Sequence, residues 1–294
     1  MNSKHHYTMP KGKDIPLLLL GILGIGTSGP VIADSKMPIP TLVFWRNLGG
    51  TLLLLPFAIR KREWINTEQK SAIKVAAISG IFLGVHFLAF FAAMRYTSVA
   101  TGTALACLQP IFAALFVKFQ GHHIPKKSWT GMAIAFVSVL FITGVDLNLN
   151  TKFFLGDLAA IAAGALAAGY LLTGAKAQRT ISTSTFAVIC YLSCAITALL
   201  AALLLRQSIW GFPKREWILA FLLILGAQIL GHTMFNLSLK RVSPVVVSLI
   251  IFFEVPVSAI IAGIWLKQRP SVGIIPGIIG LLIGCAIFVA KSEN

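Results

Sequence analysis

The sequence predicts an all-α polytopic membrane protein with ten transmembrane helices in two inverted five-helix repeats. Three observations carry this. The 294-residue chain is 57 % hydrophobic and only 12 % charged, it holds ten apolar runs of bilayer length, and its second half repeats its first. Soluble domains run near 45–50 % apolar and about 25 % charged. So few charges cannot build a water-facing surface, which excludes most cytosolic enzymes and any disordered regulator. The net charge of +16 comes from 25 basic and 9 acidic residues. The basic residues fall in short clusters between apolar runs, so they read as topology marks and nucleic acid is not an expected partner.

A helix rises 1.5 Å per residue, so about 20 apolar residues cross a hydrocarbon core of about 30 Å. The runs are roughly 15–33, 41–59, 75–93, 98–118, 129–145, 155–174, 186–205, 218–237, 244–266 and 272–290. With the N-terminus in the cytoplasm, sixteen Lys and Arg lie on the inner side and eight on the outer. Arg46 is left inside the second span. This bias places both termini in the cytoplasm and the multi-pass chain in the plasma (inner) membrane, with the lipid bilayer as its solvent. Trp45, Trp64, Trp129, Trp210, Trp217 and Trp265 stand near span ends, as an interfacial belt requires. The first run follows Lys4, Lys11 and Lys13 and exceeds the usual 7–15-residue signal-peptide core, so it reads as a span. Cys107, Cys190, Cys194 and Cys285 lie within spans, where packing is the expected role. No metal site is expected. His122-His123 lacks the ligand spacing of one.

The repeat is ungapped over much of its length. Moving the second half back by 146 positions sets Gly226 on Gly80, His232 on His86, Arg241 on Arg95, Pro256 on Pro110 and Gly277 on Gly131. An offset of 143 sets Asp157 on Asp14 and Gly164 on Gly21. Residues 1–147 and 148–294 are thus the expected halves. Five spans per half is an odd number, so the second copy enters the membrane from the opposite side. Many secondary transporters are built this way, with the substrate near mid-membrane where the repeats meet.

Several segments are similar to the EamA-type members of the drug/metabolite transporter superfamily. They are Pro40-Thr41-Leu42-Val43-Phe44-Trp45-Arg46, Ala93-Met94-Arg95-Tyr96-Thr97-Ser98-Val99-Ala100 and Leu108-Gln109-Pro110-Ile111-Phe112-Ala113-Ala114-Leu115 in the first half. Ser238-Leu239-Lys240-Arg241-Val242-Ser243-Pro244 and Phe253-Glu254-Val255-Pro256-Val257-Ser258-Ala259 carry it in the second. The resemblance implies ten spans in two inverted halves. Where the family commonly has a Gly-Glu pair after spans four and nine, this chain has Gly121-His122-His123 and Lys267-Gln268-Arg269.

Polar residues in the hydrocarbon are functional by default, because each is expensive there. Glu254 lies about ten residues into span nine and is the expected coupling or cation-binding carboxylate. On span eight, Gln228, His232 and Asn236 recur every four positions and should form one polar stripe along a cavity. On span three, His86 shares its face with Phe82 and Phe90. Gln109-Pro110 and Val255-Pro256 are matched kinks whose freed carbonyls could serve a substrate. Thr27-Ser28-Gly29-Pro30 should loosen span one, and Tyr170 and Thr173 are candidate hydrogen-bonders. Arg46 is within reach of the outer surface by snorkelling, or could pair with Glu254 or hold an anionic substrate group, and a structural or gating role is the expectation.

The expected site is therefore His86, Phe90, Gln109, Tyr170, Gln228, His232, Asn236 and Glu254, with Glu254 and Arg46 for coupling or gating. The expected function is secondary transport of a small organic metabolite; the resemblance implies an amino acid, an amine or a drug-like solute as cargo and favours export. No enzymatic activity and no bound cofactor are expected, while proton coupling is open through Glu254. Walker, GxSxG and HExxH motifs do not occur. The rival readings are a lipid-handling protein (scramblase or intramembrane enzyme) and a non-transporting receptor or scaffold.

Overall fold

A computed structural model describes residues 10–12, 14–63, 69–121, 125–143, 151–268 and 274–289. His122-His123, Trp64, Lys13 and Arg269 lie outside the described residues. All the regular structure there is helical. The helices are α1 (Ile15–Gly26), α2 (Ser28–Asp34), α3 (Ile39–Ile59), α4 (Lys70–Tyr96), α5 (Val99–Ala106), α6 (Gln109–Phe119), α7 (Lys126–Thr143), α8 (Thr151–Ala177), α9 (Thr183–Leu204), α10 (Lys214–Leu222), α11 (Met234–Ser238), α12 (Pro244–Ile250), α13 (Glu254–Trp265) and α14 (Ile274–Val289). A π-helical stretch, Leu223–Thr233, joins α10 to α11, and a 3-10 turn, Ile251–Phe253, joins α12 to α13.

Eight helical segments are long and apolar enough to span a bilayer among the described residues. They are Ile15–Asp34, Ile39–Ile59, Lys70–Tyr96, Val99–Phe119, Thr151–Ala177, Thr183–Leu204, Lys214–Ser238 and Pro244–Trp265. These stand where eight of the ten expected spans were placed. At the other two places the chain is also helical, as α7 and α14, but the described stretches fall short of a span. α7 opens on Lys126 and Lys127, and α14 holds only 16 described residues. The lipid-facing surface is plain from exposure. Leu204 and Phe119 are each 83 % exposed, and Leu19, Leu23, Leu52, Phe57 and Ile196 project outward with them. Apolar exposure on this scale requires hydrocarbon solvent.

The helices pair across the two halves of the chain. α4 packs on α8, and α1 packs on the π stretch. α3 packs on α9 and α7 on α14, while α5 meets α13 and α6 meets α12. Exchanging each helix for its repeat mate returns the same set of pairs, as a two-fold relation would require.

Small residues set the closest approaches, since lipid supplies no hydrophobic drive between helices. A Cβ on Gly24 would stand 2.6 Å from the backbone nitrogen of Gly231 and 2.7 Å from the carbonyl of Gly226. One on Gly80, the repeat mate of Gly226, would stand 2.2 Å from the carbonyl of Cys190. Cys190 and Cys194 are buried free thiols in α9.

Candidate functional site

The departures from regular α-helix gather around one place. The first span breaks at Thr27, whose hydroxyl turns back onto the Gly24 carbonyl 2.7 Å away. The fourth breaks at Cys107-Leu108, with Pro110 in the first turn of α6. The ninth breaks through the 3-10 turn, with Glu254 opening α13 and Pro256 in its first turn. The eighth carries the π stretch. Proline cannot donate to the preceding turn, so helices restart at it. π segments are rare and gather at functional sites. The matched kinks expected from Gln109-Pro110 and Val255-Pro256 are present as full interruptions.

A pocket of about 30 Å³ lies where these breaks meet, with room for little more than a water molecule. It is thus narrow. The first half contributes Ile25, Ser28, His86, Phe87, Phe90, Ala106, Cys107 and Gln109, and the second Ala167, Tyr170, Leu171, His232, Phe235, Ile251 and Glu254.

Six of the eight expected site residues line it: His86, Phe90, Gln109, Tyr170, His232 and Glu254. The repeat mates His86 and His232 sit on facing walls. His86 stacks on Phe90 with ring centroids 5.7 Å apart, and Phe87 stands edge-on to His232 at 5.1 Å. The Nδ1 of His86 lies 2.8 Å from the Ala163 carbonyl. A carbonyl only accepts, so Nδ1 carries the hydrogen, and in the neutral ring Nε2 is the acceptor.

Two groups in the pocket are buried with an unused polar atom. The Oε1 of Glu254 and the Nε2 of Gln109 have no hydrogen-bond partner, although the residues are only 5 % exposed. Such atoms are expensive and rare in folded proteins. One is an acceptor and the other a donor, both stand at helix breaks, and both line the same space.

Gln228 and Asn236 are placed otherwise than the four-residue period suggests, and the expected single stripe along the cavity is corrected here. The face that the three residues share passes different neighbours along the span, so each meets a different part of the bundle. Only His232 reaches the pocket. Gln228 is fully buried toward α3, where its amide nitrogen donates to the Oδ1 of Asn47 (3.0 Å) and its oxygen accepts from the Nε of Arg46 (2.7 Å). Asn236 accepts from the hydroxyl of Tyr170 at 2.6 Å and donates to that of Tyr191 at 3.3 Å. It therefore holds a pocket-lining tyrosine from behind. Thr173 spends its hydroxyl on the carbonyls of Gly169 and Tyr170.

Arg46 does not snorkel. It is wholly buried, its guanidinium 4.0 Å from the ring centre of Phe87, with Nη1 3.4 Å from the Ser28 hydroxyl. The ion pairs among the described residues are Arg215 with Asp34 and with Glu216, and Arg241 with Asp14, so Arg46 and Glu254 are not bonded to each other. Phe87 and Ser28 touch the arginine and line the pocket, which Arg46 itself does not. Sequence reading passed over Phe87, Cys107, Phe235 and Ile251. Nothing in an apolar run marks which apolar residue turns inward.

The EamA-like transporter family model matches the chain twice, over residues 13–144 and 154–290. The chain belongs to this family. Its curated relatives include the pseudopaline exporter CntI of Pseudomonas aeruginosa (strain PAO1). That protein is 20 % identical over 257 residues, which span 86 % of this chain and 87 % of the relative. The uncharacterized transporter YwfM of Bacillus subtilis (strain 168) is 26 % identical over 204 residues, 66 % of this chain and 63 % of that one. A solved crystal structure superposes with a TM-score of 0.74 at 17 % identity, covering 97 % of this chain and 100 % of the other. At that identity the likeness speaks for the fold alone. This EamA-family chain is thus a multi-pass membrane protein of a transporter family.

Proposed function

We propose that this EamA-family protein is a secondary transporter that carries a small organic metabolite across the plasma membrane, in the exporting direction, by alternating access. The observation that carries the reading is the pair of unused atoms, Gln109 Nε2 and Glu254 Oε1, at two helix breaks in one pocket built by both halves. A solute bearing both a donor and an acceptor would satisfy them. Phe87, Phe90, Tyr170 and Phe235 offer aromatic walls for an apolar body. An amino acid, amine or drug-like solute has this character. Glu254 is the residue through which a proton or a cationic group would couple.

Two inverted five-helix repeats supply the motion. Helix pairs that map onto one another under exchange of halves support a two-fold relation between them, which five spans per half would make an inversion. The arginines related by the repeat support it too. Arg241 pairs with Asp14 at the start of α1, whereas Arg95 donates to the carbonyls of Met37 and Ile32 just past and within α2. Each half thus grips the first span at one of its ends. Swapping the conformations of the halves would trade the contact of Arg241 with Asp14 for one of its repeat mate Arg95 with Asp157. The exporting direction draws on the name of the Pseudomonas relative.

The test is reconstitution. Purified protein in liposomes should exchange at least one member of a labelled panel of amino acids, amines and drug-like solutes. Glu254→Gln should cut that exchange at least about tenfold, the worth of about 1.4 kcal/mol. Protein that binds none of the panel in thermal-shift screening and moves none of it would overturn the reading.

A further inference from the structure

A second cavity lies away from the pocket, among the last turns of α3, the start of α9 and the end of the span that holds the π stretch. It measures about 810 Å³. Leu54, Phe57, Ile229, Met234 and Leu237 form its apolar part, and the cations Arg60, Lys61 and Lys240 stand at its polar end. None of the three forms an ion pair among the described residues. Among the described residues, one anion stands close by. Glu63 is bonded to the backbone nitrogen and hydroxyl of Ser182, and the charge of Lys240 acts on it from beyond ion-pair distance. The cavity mouth therefore keeps a positive excess. The hydroxyls around it are already engaged: Ser182 with Glu63, Thr183 with the side chain of Gln178, and Thr233 with the carbonyl of Gln228.

We infer that this cavity binds an anionic phospholipid, its phosphate held by Arg60, Lys61 and Lys240 and its acyl chain laid along Phe57, Ile229 and Met234. Charge complementarity selects the headgroup. The local cations outnumber the one carboxylate, and basic pockets between membrane helices hold anionic headgroups this way. The apolar wall selects an amphiphile over a free ion, because a bare anion gains nothing from burying beside Leu54 or Leu237. The inference is independent of any transported solute.

Phosphatidylglycerol and phosphatidylcholine with the same acyl chains, titrated into the full-length protein in detergent, test it by native mass spectrometry and thermal unfolding. Wild type should retain phosphatidylglycerol in preference to phosphatidylcholine, with a higher unfolding temperature. Each cation near a headgroup is worth about fivefold in affinity, so Lys61→Gln combined with Lys240→Gln should weaken phosphatidylglycerol binding about 25-fold. Lys126→Gln combined with Lys127→Gln, in a different loop, should leave it unchanged. Equal retention of the two lipids by wild type overturns the inference. So does an equal loss in both double variants, or a matching thermal shift from inorganic phosphate alone.

Discussion

Glu254 and Gln109 are polar side chains held in an apolar bundle with an atom to spare, and each was conspicuous in the sequence for that polarity. Gln109→Ala should leave the unfolding temperature within a few degrees of wild type, since it removes an unsatisfied donor instead of a bond. Solute affinity should drop by about 1 kcal/mol or more, read by thermal shift with the transported solute. Arg46 behaves differently. Its removal leaves the Gln228 oxygen without its partner, so Arg46→Ala should destabilise by about 1–3 kcal/mol, measured as loss of monodisperse protein on heating. Outside the spans, Glu63 gives a pH signature. Partial burial pushes its carboxyl up, but hydrogen bonds from Thr185 and Ser182 outweigh this and hold it below its usual 4.5. A carboxyl with a depressed folded value contributes stability above the unfolded value and loses it as pH falls through the folded one. Acidification below about pH 4.5 should therefore lower the unfolding temperature of wild type more than that of Glu63→Ala, by less than about 1 kcal/mol because the group is largely solvated. Identical acid sensitivity in the two proteins would remove Glu63 from this account.

At the scale of single elements, the π stretch Leu223–Thr233 decides which residues of the eighth span see the pocket. Inserting one alanine beside the lipid-exposed Leu225 should turn everything beyond it by about 100°. His232 would leave the pocket and Asn236 would lose Tyr170. Expected is a protein that still inserts and resists proteolysis but binds no solute. Solute binding equal to wild type would show that the register of this span has no part in the site. Gly24→Leu makes the complementary case. A side chain there meets the backbone of Gly226 and Gly231, which cannot yield as a side-chain tip can. The substitution should separate α1 from the π stretch and cost about 1–3 kcal/mol, visible as a lower unfolding temperature. The prolines announced the breaks in spans four and nine. The π stretch had no such signal, because an extra residue per turn changes hydrogen bonding without changing composition. A four-residue spacing tells which residues share a face but not which neighbour that face meets, so it misplaced Gln228 and Asn236.

For the whole molecule, the grips of Arg241 on Asp14 and of Arg95 on the Met37 carbonyl predict opposite responses. In a cysteine-free background, Ser28→Cys reports access to the pocket. Asp14→Asn should speed its labelling by an impermeant maleimide added from the Asp14 side, and Arg95→Gln should speed it from the Met37 side. Labelling from one side only in both variants would contradict an exchange between two mouths. The sequence alone determined that the chain lives in lipid, where its helices run, that its halves resemble each other, and which polar residues are buried at a cost. Each follows from a local quantity: apolar length against bilayer thickness, or a side chain's polarity against its surroundings. Only the tertiary structure decided which of those polar residues share a space. Whether Gln109 and Glu254 face one cavity, whether Arg46 reaches the surface or lies over Phe87, and which apolar residues wall the pocket all depend on how helices distant in the chain cross. That geometry is set by close packing between pairs such as α1 and the π stretch, and no local pattern encodes it.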